Sequence, residues 1–298
     1  MNSPVICFGQ QPCGFFPKRF LVAKINTAKK LQKQISGKIV FFYHDSDADY
    51  RETITIFKDR FNGAKVRLNF TQENKLQKKH SPLYLKRIPA GWKEEIVKQL
   101  PRFIPPQSPL ILRGEASAVP PLRIREGRGV IDIFKSVNEK TVADFCLQMY
   151  EKLGLLEGIE VIRSSEKTFR EKAMNFKEYY VDVEYQGEIV RARIIGDNRS
   201  APIYRPIDQP INGRATKIAI LHEGGGKYTK FAIDGKIEKR QISADAKDRF
   251  AWMQSIIHCT HYIYGEGEKE YINFSEFPDV KFIQREKIEN PEYAWITV

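Results

Sequence analysis

The stretch CFGQQPCGFFPKRF, residues 7–20, combines residue types that bind anions in many α/β proteins. A short apolar run ends at Gly9 and leads into a run with helical spacing, so backbone N–H groups and the positive end of a helix dipole should face one point. Gln10 and Gln11 add amides there, and three basic residues follow: Lys18, Arg19 and Lys24. The stretch is neither a P-loop nor a GxGxxG motif. A phosphate or carboxylate site is one interpretation, and a tight turn before a solvated basic helix is the other.

A second polar stretch, YHDSDADYRE at residues 43–52, directly follows another apolar run. If that run is a parallel strand, these side chains lie at the carboxyl edge, where open α/β sheets bind ligands. The alternating carboxylates are Asp45, Asp47 and Asp49, and they would share one face if the strand continued. They could hold magnesium, bind an amine or act as a general base. His44 beside them is a candidate acid or base. The stretch lacks the glycine and glutamate of a calcium loop, and an acidic loop with an Asx turn is the alternative.

A third stretch, YGEGEKEY at residues 264–271, places glycines after a strand-like run and before a helix-like one. Gly265 and Gly267 would let a ligand approach the backbone closely. Glu268 would favour the dipole of the helix that it begins. By itself this stretch indicates a ligand site only weakly.

Metal and disulfide chemistry find little support in the sequence. The cysteines form no CxxC pair and no zinc spacing, so reduced thiols are expected at Cys7, Cys13, Cys146 and Cys259. His258 and His261 flank one of these thiols, but no third ligand has matching spacing. We therefore expect no metal site at these cysteines and histidines.

The elements that must position these stretches alternate between strand and helix at both ends of the chain. Residues 5–8 and 39–43 are typical of parallel strands, joined by a helix over 21–35, and residues 244–258 and 260–264 indicate a further helix and strand. Helices are also expected over 92–100 and 142–153, with Ser164 capping another that begins near Glu166. A proline-, glycine- and arginine-rich stretch, 101–129, should form a connecting or active-site loop.

Alternating residues around glycine turns predict antiparallel hairpins over 179–195 and 217–242. The predicted fold class is therefore α/β, a Rossmann-like parallel sheet with helices on both faces and an inserted antiparallel β-hairpin layer. We expect one domain over residues 1–298, with a discontinuous core at about 1–150 and 243–298 and the insertion at about 178–242. The two ends of the chain should meet in the sheet.

The chain has 298 residues and a formal net charge of +12, with Lys and Arg dispersed along it. A basic surface suits nucleic acid, anionic lipid or a small phosphorylated or carboxylated substrate, and a generally solvated surface is the alternative. No signal-peptide pattern and no apolar run of about 18 residues is present, so a cytoplasmic protein without membrane contact is expected.

Taken together, the motifs resemble the bacillithiol-biosynthesis cysteine-adding enzymes, the cysteine ligase family. GQQPCGFFPKRFLVAK is similar to that family's glycine-glutamine-glutamine loop and following helix, and DSDADYRE to its acidic segment after the next strand. LHEGGGKYTKFAIDGK resembles its late hairpin, and RFAWMQSIIHCTHYIYGEGEKEY its arginine-led helix and glycine-rich turn. The resemblance covers roughly residues 5–65 and 217–277, and the family's histidine between the aspartates is Ala48 here.

The resemblance implies a Rossmann-like core similar to class I nucleotidyltransferases such as pantothenate synthetase. It implies ATP-dependent ligation or nucleotidyl transfer on an anionic small molecule, with cysteine or another amine as a candidate co-substrate and ATP or ADP with magnesium as candidate cofactors. Asp47 and Asp49, with His44, are the catalytic candidates. The substrate- or nucleotide-binding candidates are Gly9, Gln10, Gln11, Lys24, Arg249, Gly265, Gly267, Glu268 and Tyr271.

A non-catalytic nucleic-acid-binding protein on a degenerate copy of this fold is the alternative hypothesis. The charge of +12 favours it, and aromatic residues among basic ones, such as Trp92 and Phe103, could stack on bases. The dispersed basic residues and the lack of a recognised nucleic-acid module count against it.

Overall fold

A computed structural model describes residues 3–104, 129–176, 178–194, 217–233 and 235–296. The strands are β1 (Val5–Gln10), β2 (Lys38–Tyr43), β3 (Thr55–Lys58), β4 (Lys65–Leu68), β5 (Ile159–Arg163), β6 (Tyr180–Tyr185), β7 (Glu188–Ile194), β8 (Lys217–Gly224), β9 (Lys227–Ile233), β10 (Ile242–Ser243), β11 (His261–Tyr264) and β12 (Lys281–Gln284). The helices are α1 (Arg19–Ile35), α2 (Lys75–His80), α3 (Trp92–Gln99), α4 (Val130–Ser136), α5 (Val142–Lys152), α6 (Lys167–Lys172) and α7 (Arg249–Ile257). Residues 105–128 of the predicted loop lie outside the described residues.

A five-stranded parallel sheet in the order β12-β11-β1-β2-β5 organises the fold. Strand β1 lies at its centre, paired with β2 through six residues and with β11 at Ile6↔His261 and Cys7↔Tyr262. The two ends of the chain therefore meet in one sheet, as predicted. The chain leaves β1 through α1 towards β2 on one side, whereas β11 and β12 lie on the other side, which makes the edge beyond β1 and β11 a topological switch point.

Helices cover both faces of the parallel sheet because alternate strand residues point to opposite faces. On one face Ile6 and Phe8 pack with helix α1 through Leu21 and with helix α5 through Phe145. On the other face Cys7, Val40 and Phe42 pack with helices α6 and α7, through side chains that include Phe169, Trp252 and Met253. The predicted α/β class with helices on both faces is confirmed.

The predicted antiparallel layer is present as a second five-stranded sheet in the order β10-β6-β7-β8-β9. The hairpin β6–β7 turns at Gln186 and Gly187, both with positive φ, and β8–β9 turns at the glycines that follow Glu223. Apolar residues at alternate positions, such as Val181, Val190 and Leu221, form its own core. The layer follows α6 and precedes α7 in the chain.

One local expectation was wrong, and one strand of the parallel sheet was not predicted. Ser164 does not cap α6: the N-cap is Glu166, and the Ser164 hydroxyl is hydrogen-bonded to Ser46 and Asp45 instead. The sequence analysis also did not predict β5, because its five residues mix charged and apolar types without clear alternation.

The aromatic residues proposed to stack on bases belong to the core. Trp92 is 4% exposed and stacks on Phe70 with ring centroids 4.3 Å apart. Phe103 is 2% exposed and stacks on Phe57 at 4.7 Å. This part of the nucleic-acid hypothesis was wrong, because buried rings offer no face to a base.

Among the residues that the structure describes, no helix combines the length and the apolar character required to cross a bilayer. All four cysteines are buried and free.

Candidate functional site

A crevice lies at the switch point, on the carboxyl side of β1 and β11. Its cavity of about 70 Å³ is lined by Gly9, Gln10, Gln11, Phe42, His44, Arg249, Phe250, Met253, Tyr262, Glu268, Tyr271 and Ile272. The first polar stretch, the start of the second, helix α7 and the third stretch thus converge, as the sequence analysis expected for the two ends of the chain. Open α/β sheets bind their ligands at this position.

Lys24 ties the loop after β1 to the turn after β11. Its ammonium group donates to Gly9 O at 2.8 Å, Gln10 Oε1 at 3.3 Å and Glu268 Oε2 at 2.5 Å. The side chains of Lys24 and Glu268 are 3% and 12% exposed. Because an ammonium has three protons, Lys24 has no donor left for a ligand and instead positions the crevice walls.

Glu268 completes this wall. Its other oxygen accepts from Tyr262 Oη at 2.8 Å, and Oε2 also accepts from Gly265 N at 2.6 Å, which closes the 3-10 helix Glu266–Glu270 at its start. The sequence placed Glu268 at the beginning of a helical segment for its dipole, and the structure adds the buried ion pair. Lys24 and Glu268 cancel each other's charge.

Gly9 is required by the close approach of β11. A Cβ added there would lie 2.9 Å from Tyr262 Oη. We expect Gly9→Ala to lower the free energy of unfolding by about 1–3 kcal/mol through overpacking, measured by urea denaturation. Removing the clashing atom in Gly9→Ala/Tyr262→Phe should recover part of that loss.

Gly267 provides the matched control for this prediction, because a Cβ there meets nothing within 4 Å. Gly267→Ala should leave the urea midpoint nearly unchanged. Equal destabilisation by the two glycine substitutions would contradict the steric explanation. Gly265 is intermediate, with a Cβ 3.3 Å from Glu268 Oε2.

Asp47 joins elements from three parts of the chain. Its Oδ2 accepts from Arg249 Nη2 at 2.7 Å and from the Gln11 side-chain amide, and its Oδ1 lies 3.5 Å from Arg191 Nη1. Oδ1 also accepts from Ala48 N at 2.6 Å. Burial alone would raise the pKa of Asp47, but the Arg191 and Arg249 guanidiniums outweigh burial and hold that pKa well below its usual range. Asp47 is therefore a carboxylate anion that holds the side chains of Arg191 and Arg249 in position.

The three aspartates do not share a face, because β2 ends at Tyr43 and the chain turns. Asp45 is fully buried and pairs with Arg163 at 2.7 Å, away from the crevice lining. Asp49 pairs with the exposed Arg51 at 2.7 Å. Of the three side chains, that of Asp47 is the one with hydrogen bonds to residues that line the cavity, Gln11 and Arg249. The shared face was expected only if the strand continued, and the strand ends before these residues.

His44 lines the crevice as a buried histidine that is 1% exposed. Neither ring nitrogen has a hydrogen-bond partner, and the same is true of the neighbouring Arg249 Nε. Burial, followed by the charge of Arg249, lowers the pKa of His44 well below its ordinary value. His44 is thus a neutral imidazole with one unused donor and one unused acceptor.

Tyr271 lines the crevice and is 36% exposed. It follows the 3-10 helix and lines the cavity together with Ile272. Apolar side chains also line the crevice, including Phe42, Phe250 and Met253. The lining therefore combines polar and apolar groups.

Arg191 and Lys86 are site-supporting residues that the sequence analysis missed. Arg191, on β7, stacks over the Tyr180 ring at 3.7 Å and donates to Ala244 O at 2.8 Å, which directs it at Asp47. Lys86 is 1% exposed, and its ammonium donates to Ala48 O at 3.0 Å. Burial lowers the pKa of Lys86 to about 8. No local motif indicates a role for either residue, because that role depends on a contact with a residue far away in the sequence.

Comparison with models of known protein families finds no match to this chain, and comparison with curated proteins finds no match either.

Proposed function

We propose that this chain is an enzyme of the ligase or nucleotidyltransferase type that binds the carboxylate or phosphate group of a small molecule in the switch-point crevice. The observation that supports it most is the set of unpartnered buried nitrogens on His44 and Arg249. Buried polar atoms in proteins nearly always have partners, and these unpartnered nitrogens belong to residues that line the crevice, which favours a bound molecule there over the unpartnered atoms elsewhere, such as His80 Nε2.

The charges around the crevice favour an anion. Arg191 and Arg249 share the single carboxylate of Asp47, which leaves one positive charge in excess. The pair formed by Lys24 and Glu268 is neutral. An oxyanion beside Arg249 would balance the excess, and preorganised donors of this kind also stabilise negative charge that develops during acyl or phosphoryl transfer.

The size of the crevice limits how much of a substrate can enter it. A cavity of about 70 Å³ is well below the roughly 300–1,000 Å³ of pockets for drug-sized ligands, so it fits one anionic group of a larger molecule. ATP or ADP as a candidate would place a phosphate here and the rest of the nucleotide outside the cavity. Cysteine or another amine, the candidate co-substrate, would place its carboxylate here.

The donor set does not fit magnesium. Asp47 already accepts from two guanidiniums and an amide, and Asp49 is paired with Arg51. Within the described ranges no group of three or more His, Cys, Asp or Glu side chains could hold a metal ion. We therefore assign no step of the reaction to magnesium bound by these aspartates.

The roles of the proposed residues follow from their hydrogen bonds. Arg249 holds the anionic group, and Gln10 and Gln11 form the wall beside it. Asp47 orients Arg249 and is not the general base, because its lowered pKa and occupied oxygens make it a poor proton acceptor. His44 contacts the bound group directly.

A thermal-shift panel tests this proposal with ATP, ADP, cysteine, pantothenate-like acids and amino sugars. We expect at least one anionic compound to raise Tm, since a ligand at 100 times its Kd stabilises the folded state by about 2.7 kcal/mol. The shift should disappear in Arg249→Gln. Arg193→Gln is the control for this substitution. It also replaces one arginine by glutamine, but Arg193 pairs with Glu178 outside the crevice, so the shift should remain.

A panel in which no compound raises Tm would contradict the proposal, as would a shift that survives in Arg249→Gln. Compounds that do bind can then be incubated in pairs with ATP. Release of pyrophosphate would indicate transfer of the adenylyl group, and release of ADP and phosphate would indicate ligation through a phosphorylated intermediate.

A further inference from the structure

His44 directly follows β2 and contacts the end of β1. Its backbone N donates to Gln10 O at 2.9 Å, which fixes the residue beside the loop after β1. Its ring contacts Phe42 and Trp252, with centroids 5.8 and 6.2 Å away. These aromatic rings give the imidazole no hydrogen-bond partner, so both ring nitrogens of this crevice-lining residue are buried and unpaired.

The charged groups that act on His44 come from four elements. Arg249 on α7, Arg191 on β7 and Arg170 on α6 all disfavour the imidazolium, and Asp47 on the following loop favours it. Burial disfavours it most, and the pKa of His44 is lowered well below its ordinary value. In the ligand-free protein His44 is therefore neutral near neutral pH.

A neutral imidazole is a poor match for an oxyanion, because one of its nitrogens presents a lone pair to a group that only accepts hydrogen bonds. An imidazolium presents donors at both nitrogens. An anion that enters beside Arg249 also offsets the guanidinium charge that disfavours protonation, and an opposite charge within about 4–6 Å favours the charged form.

We propose that His44 and Arg249 together hold the oxyanion of the ligand, and that His44 takes up one proton as the anion enters. This inference rests on the proposed function. The anion, a carboxylate or a phosphate, is then bound by two cationic donors. Since the bound state carries the additional proton, affinity must rise as pH falls. For one proton, the affinity can rise by at most about tenfold for each pH unit. This rise occurs between the pH values at which His44 titrates in the free and bound states.

Isothermal titration calorimetry with inorganic sulfate tests this coupling, because sulfate does not itself titrate near neutral pH. Titrations at about pH 6, in two buffers with different ionisation enthalpies, give the number of protons bound per sulfate. We expect an uptake approaching one proton in the full chain, and a Kd that decreases as pH falls.

Matched variants assign the proton to His44. His44→Gln keeps a neutral hydrogen-bonding side chain and should bind sulfate with uptake near zero and a flat pH profile. His80→Gln is the control, because His80 is also buried and has a lowered pKa but contacts Glu223 instead of the crevice. Its proton uptake should match that of the unmodified chain. Displacement of sulfate by acetate or by methyl phosphate shows which oxyanion the site prefers.

The outcomes separate this inference from the proposed function. Sulfate binding that is lost in Arg249→Gln but shows no proton uptake overturns the role of His44 and leaves the anion crevice in place. Uptake that persists unchanged in His44→Gln overturns it as well. Failure of sulfate, acetate and methyl phosphate to bind at all overturns both proposals.

Discussion

Replacing Asp47 by asparagine is expected to lower the free energy of unfolding by about 3–5 kcal/mol, the range for removing one partner of a buried ion pair. The substitution leaves Arg249 and Arg191, whose side chains are 20% and 7% exposed, without the carboxylate that neutralises them. Asparagine has nearly the same shape, so the loss reports charge and not packing. Urea denaturation gives the stability, and the sulfate titration gives the effect on binding.

Asp49→Asn is the control for this prediction. Asp49 is close by in the same loop, but its partner Arg51 has a side chain that is 73% exposed. Exposed ion pairs contribute about 0–1 kcal/mol, so the urea midpoint should change little. Similar losses in the two variants would show that Asp47 does not organise the crevice.

Lys24→Met is expected to cost about 3 kcal/mol, because it leaves the Glu268 carboxylate buried without its cation. Glu268 keeps its hydrogen bonds from Tyr262 and Gly265, which places the loss at the lower end of the range for broken buried pairs. The wall between the loop after β1 and the turn after β11 should loosen. We therefore also expect weaker binding of sulfate.

The double variant Lys24→Met/Glu268→Gln distinguishes a charge effect from lost packing. If the unpaired carboxylate causes the loss, the double variant should be more stable than Lys24→Met in urea denaturation. Lys30→Met is the surface control: its partner is Glu286, its side chain is 43% exposed, and the expected change is below about 1 kcal/mol. Additive losses in the double variant would contradict the buried-pair explanation.

The sequence could predict the crevice walls that are local in the chain. The apolar run before Gly9, the helical spacing after it and the second apolar run ending at Tyr43 place β1, α1 and β2 correctly, and the carboxyl edge follows from parallel pairing. The glycines near residue 265 also lie where a turn after β11 is needed. These features depend on residues that are close together in the sequence. The spacing of hydrophobic residues predicts such local structure.

The partners inside the crevice could not be predicted, because they join elements far apart in the chain. Asp47 is 144 residues from Arg191 and 202 from Arg249. Nothing near Arg191 distinguishes it from Arg193 two positions later, yet Arg191 stacks on Tyr180 and reaches the crevice while Arg193 pairs with Glu178. Likewise, DSDAD suggests equivalent carboxylates, yet Asp45 and Asp47 pair with arginines more than 100 residues away whereas Asp49 pairs with the neighbouring Arg51.

The antiparallel sheet has a direct connection to the candidate site. Arg191 extends from β7 to Asp47 and also donates to Ser243 Oγ at 3.2 Å and to Ala244 O, at the end of β10 and just after it. The sheet therefore contributes one of the two guanidiniums that set the ionisation of Asp47. An insertion that only covered the parallel sheet would not need this buried arginine.

A crystal soaked in selenate and measured at the selenium absorption edge tests the proposed anion crevice most directly. We predict an anomalous peak within hydrogen-bond distance of a His44 ring nitrogen and of Arg249 Nε, with Asp47 still bonded to Arg249. Selenate bound only elsewhere on the surface, with water or nothing beside His44, would contradict the account.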